Sequence, residues 1–90
     1  MLTIYKYELP SEDNVWIDLP EGAKVLSAQV QQGSPCLWAL VSPDAPLVNR
    51  HFRISGTGHP IHEHPANLHF IDTFQIMGGD LIFHLFEVIK

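Results

Sequence analysis

All six histidines of this 90-residue chain fall between positions 51 and 84, and three crowd into His59-Pro60-Ile61-His62-Glu63-His64. On extended backbone His62 and His64 stand two residues apart and face the same way. That is the geometry a metal needs from two ligands on one strand. His69 and His84 could join them from later segments. Pro60 and Pro65 bracket the cluster, which suits an irregular loop better than a regular strand. Loop histidines facing solvent are therefore the simpler reading, and neither a metal nor a cofactor is expected.

The tract just before the cluster offers a different chemistry. In Arg50-His51-Phe52-Arg53-Ile54-Ser55-Gly56-Thr57-Gly58-His59, a strand would place His51, Arg53 and Ser55 on one face. That face runs into a Gly-Thr-Gly corner and a histidine. Guanidinium forks, hydroxyls and exposed glycine N–H groups are what holds a phosphate or another polar anion. Arg50, Arg53, Ser55, Gly56, Thr57, Gly58 and His59 are accordingly the candidate ligand-binding set. The competing reading is an outer strand face of solvated polar side chains. Trp16, Trp38 and the Tyr5/Tyr7 pair are available to stack on a ring, although aromatics in so short a domain more often build the core.

Catalytic constellations are missing from the sequence. There is no G-x-S-x-G, no phosphate loop ending in Gly-Lys-Ser/Thr, and a single cysteine, Cys36. Asp72, Asp80, Glu63 and Glu87 would serve as acids or bases only if folding gathered them. A non-enzymatic protein is expected. Cys36 lies in an apolar run without a basic neighbour, so it reads as a small buried hydrophobe rather than a reactive thiol. One cysteine allows no intrachain disulfide, which disfavours a small secreted scaffold.

Ten acidic against five basic residues give a formal net charge of −5. A duplex nucleic-acid binder needs a basic face, so that partner class is disfavoured. The N-terminus lacks the charged and apolar regions of a leader, and no apolar stretch approaches the ~20 residues of a membrane span. A cytoplasmic protein with no membrane partner is expected.

The elements that must position these residues are strands. Leu2 to Leu9 alternates and stops at Pro10; Val15-Trp16-Ile17 is short; Leu26, Ala28 and Val30 face one way across Val25 to Gln31, with Ser27, Gln29 and Gln31 facing the other. Cys36 to Val41 is continuously apolar and reads as a central strand. Leu47 to Ile54, Leu68 to Ile76 and Leu81 to Ile89 complete the set, the last two joined by a tight hairpin turn at Gly78-Gly79. A single helical turn fits Pro20 to Lys24. The expectation is one domain over residues 1–90, all-β, a small antiparallel sandwich or barrel of about seven strands. The apolar run 36–41 and the C-terminal Leu81, Phe83, Leu85 and Phe86 exceed what so small a core covers easily, which favours a homo-oligomer.

Two resemblances add to this reading. The spacing Gly56-x5-His62-x-His64 resembles the first motif of the cupin superfamily, a small β-barrel fold that often binds metal. That motif continues with a glutamate four or five positions on, where this chain has His69. His84 could stand for the histidine of the second motif, but the G-x5-P-x-G spacing that should precede it is absent. The resemblance implies a small metal-dependent enzyme as one alternative. A longer likeness runs through Glu21 to Gln31, Pro35 to Val41, Arg53 to Ile61 and Phe83 to Val88, and resembles a family of short bacteriophage and prophage proteins of uncharacterised function. It implies a setting in the host-cell cytoplasm, countering host defence. The protein would act there as a sponge for a small anionic messenger such as a cyclic nucleotide or an ADP-ribose derivative. Alternatively, it would inhibit a defence protein by binding it.

Overall fold

The computed structural model describes all 90 residues: seven strands and two single 3-10 turns. The strands are β1 (Thr3–Glu8), β2 (Asn14–Pro20), β3 (Lys24–Gln31), β4 (Ser34–Val41), β5 (Leu47–Gly56), β6 (Leu68–Ile76) and β7 (Leu81–Val88). Every ladder is antiparallel. They form two sheets, ordered β1-β4-β3 and β2-β5-β7-β6. The fold is a sandwich rather than a closed barrel. No helix is long and apolar enough to cross a membrane.

Local chemistry explains the hairpins. β3 and β4 join through Gln32 and Gly33, both at positive φ (51° and 81°), the twist-matched two-residue turn that glycine makes accessible. The turn between β6 and β7 is longer than a Gly-Gly hairpin. Met77, Gly78 and Gly79 all take positive φ, and Asp80 N–H closes the turn onto Met77 O. Glu21 to Ala23 is a turn, not the expected helical one, closed by Ala23 N–H on Pro20 O.

One core fills the space between the sheets. Leu37, Ala39 and Val41 of β4 face Val15 and Leu19 of β2, Phe52 and Ile54 of β5, Phe74 of β6 and Leu85 of β7. Each fully buried Leu or Phe contributes roughly 1.5–3 kcal/mol. The expected inward set on β3 is corrected here. A bulge between Val25 and Ser27 shifts the parity, so Val25 joins Ala28 and Val30 against the core while Leu26 is left 44% exposed. Alternation alone cannot reveal an inserted residue.

The two sheets meet at one side. β6 bulges between Phe70 and Asp72, which brings Asp72 to β3. Its Oδ2 accepts Ala28 N–H and Gln29 Nε2, each at 3.1 Å.

Candidate functional site

Two faces of β5 carry the chain's two arginines, because successive residues of a strand alternate. Arg50 shares the parity of Phe52 and Ile54 and sits at the inner margin of the sandwich. Its Nε and Nη2 donate to both oxygens of Glu87 on β7 (2.6 and 2.7 Å), and its Nη1 donates to Ala23 O at 2.6 Å. The Glu87 hydrogen bonds raise its pKa above the usual arginine value, against the opposing cost of burial. Arg50 is therefore a clasp between β5, β7 and the β2–β3 turn, and it does not join Arg53 in an anion site.

Arg53 lies on the outer face with His51 and Ser55, only 7% exposed. The long segment after β5 folds back over it. Nε donates to Glu63 Oε1 at 3.3 Å, Nη2 to Pro60 O at 3.4 Å, and Nη1 to the carbonyls of Ile54 and Asp13. These contacts fix the guanidinium while engaging most of its donors. Burial pushes the Glu63 carboxyl up, but its backbone hydrogen bond, Arg53 and His51 outweigh that and hold it below the usual glutamate value.

Beside Arg53 opens a cavity of about 220 Å³ whose wall is mostly polar: Asp13, Arg53, Ser55, Gly56, His59, Pro60 and His62. Gly56 to His59 is a four-residue turn, closed by His59 N–H on Gly56 O and needing Gly58 at φ +85°. It lays the His59 ring on Gly56 so closely that a Cβ there would stand 3.1 Å from His59 Nδ1. One guanidinium, already paired with Glu63, thus shares the cavity wall with Asp13 and two imidazoles. A bare anion gains little from that balance. A ligand carrying an anionic group and hydroxyl donors satisfies both signs.

Of the candidate set, Arg53, Ser55, Gly56 and His59 line this cavity; Arg50, Thr57 and Gly58 do not. Thr57 turns to β7, where its Oγ1 meets His84 Nε2 at 2.7 Å, and His84 Nδ1 meets Thr73 Oγ1 at 2.9 Å. The histidines of the metal spacing are dispersed rather than gathered. His62 is in the cavity wall, His64 Nδ1 accepts Ala66 N–H at the head of a 3-10 turn, His69 is exposed on β6, and His84 lies between two threonines. No three His, Cys, Asp or Glu side chains are placed to hold a metal ion.

The sequence reading missed Asp13, and for a clear reason. Its position follows from the pairing of Asn14 with Arg53, which sets Asp13 O against Ile54 N–H (2.9 Å). No local signal encodes that register. On the same outer face Trp16 stacks on His51, centroids 4.5 Å apart and planes 8° apart, and the indole stays 59% exposed.

Residues 1–90 match the family model described as Domain of unknown function (DUF7352). No curated protein and no solved structure matches the chain.

Proposed function

The chain belongs to the DUF7352 family, and from that premise we propose that it is a non-enzymatic binding protein whose polar corner takes the sugar-phosphate part of a nucleotide-derived ligand. The observation that carries this reading is the wall of the cavity, where Arg53, His59 and His62 offer donors for a phosphate and Asp13 offers an acceptor for sugar hydroxyls. About 220 Å³ is below the roughly 300–1,000 Å³ of pockets that enclose a whole drug-sized ligand. That space suits one sugar-phosphate unit, and a base would lie outside it. ADP-ribose derivatives and cyclic nucleotides belong to this chemical class, and their sequestration during host defence is the role proposed for them here.

The test is equilibrium dialysis of the folded protein against ADP-ribose, a cyclic dinucleotide and ribose 5-phosphate, followed by heat denaturation and chromatography of what is released. Intact ligand is expected, with retention lost in His59→Ala and His62→Ala, both loop positions whose truncation leaves the ladders untouched. No retention by folded protein overturns the reading, and a chemically altered ligand replaces it with catalysis. A second reading, inhibition of a host protein, draws on Trp16 and Phe70, 59% and 61% exposed on one sheet face. It predicts that Trp16→Ala abolishes inhibition while nucleotide retention is nil.

A further inference from the structure

β1 has a partner on one side only, since its sheet runs β1-β4-β3. Leu9 N–H donates to Pro35 O on β4 (2.9 Å). By strand alternation the backbone groups of Tyr7, Tyr5 and Thr3 also point to β4, and those of Ile4, Lys6 and Glu8 point away, into open space. The other edges are guarded. β3 and β6 are tied together through Asp72. On β2, Ile54 N–H to Asp13 O sets the parity, so Asn14, Trp16, Asp18 and Pro20 point outward. Proline has no N–H to give, so a strand added to β2 would lose its bond at Pro20. β1 has neither proline nor bulge, and Ile4 and Tyr5 are 55% and 43% exposed.

We propose that β1 docks against β1 of a second copy of this chain, antiparallel across a two-fold axis at Tyr7, so that two three-stranded sheets become one continuous sheet. Charge complementarity selects this register. About Tyr7, Lys6 lies opposite the second copy's Glu8, and Glu8 opposite its Lys6, in an isologous contact. Both side chains are exposed, and neither has an ion-pair partner in its own chain. Lys6 Nζ reaches only the neutral Gln31 Oε1, at 2.7 Å. A two-fold at Lys6 would oppose ammonium with ammonium, and one at Tyr5 would leave both charges beside Leu2 and Ile4. The ladder also ends by itself in the Tyr7 register, because Ile4 then meets Pro10, which has no N–H. Tyr7, half-buried beside Tyr5 with ring centroids 6.4 Å apart, meets its copy on the axis.

Sedimentation equilibrium across the micromolar range, combined with amide hydrogen exchange, tests this. A monomer–dimer equilibrium is expected, with the amides of Ile4, Lys6 and Glu8 becoming protected as concentration rises. Those of Tyr5 and Tyr7 should be protected at every concentration. Lys6→Glu alone and Glu8→Lys alone each set like charges opposite at two places and should weaken association at least about tenfold. The double variant restores the pairing and should recover the dimer. Both sites are exposed, so circular dichroism should be unchanged in all three. A monomer throughout, a dimer indifferent to the single reversals, or a double variant no better than either single overturns the proposal. None of these outcomes depends on whether the polar corner binds a nucleotide.

Discussion

At the scale of single residues, the polar corner depends on a glycine and an ion pair. Gly56 carries the His59 ring so closely that a methyl group there would push the ring by a few tenths of an ångström, although its φ is one that any residue adopts. In Gly56→Ala, the gain of roughly 0.4–1 kcal/mol from a stiffer unfolded chain is set against a displaced ring. Stability should therefore change by under about 1 kcal/mol, while the His59 ring resonances shift and ligand retention falls. NMR and urea unfolding measure the two effects separately. Glu63, paired with Arg53, is held below its ordinary value of 4.5. The folded state then binds fewer protons than the unfolded one through that range, so stability rises with pH there. The contribution is complete above the unfolded value and is lost as pH falls through the lower folded value. Glu63→Gln should lower stability at neutral pH and flatten its decline on acidification below about pH 4.5, measured by chemical denaturation.

At the scale of elements, bulges rather than loops decide how the sheets join. The bulge in β6 delivers Asp72 to the Ala28 N–H, and the bulge in β3 turns Val25 inward while Leu26 faces outward. Asp72→Ala leaves that N–H without its acceptor at a part-buried site, and should cost about 1–3 kcal/mol in urea unfolding. Asp72→Asn keeps an acceptor oxygen and should cost less. Much at this scale was legible beforehand. Seven strands and the central place of β4 follow from alternation and an unbroken apolar run. The bulges were not legible, because one inserted residue leaves composition and approximate periodicity unchanged.

At the scale of the whole molecule, both sheets contribute to one core, so neither should unfold alone. Trp16 lies in the β2-β5-β7-β6 sheet and Trp38 in the β1-β4-β3 sheet. Single-tryptophan variants, Trp16→Phe and Trp38→Phe, should give coincident fluorescence transitions that also match far-UV circular dichroism. Separate midpoints would show two independently folding layers. The sequence by itself determined the all-β class, most strand positions and the crowding of polar chemistry between residues 50 and 64, because hydrophobic period, turn residues and local spacing are properties of neighbours in the chain. Only the tertiary structure decided that Arg50 clasps Glu87 while Arg53 turns outward to Glu63, that Asp13 closes the cavity, and that the four spaced histidines go separate ways. Those outcomes follow from ladder registers such as Asn14 with Arg53 and Phe52 with Glu87, pairings between segments more than thirty residues apart. Such registers are set by how the whole core packs, and no window of sequence contains that information.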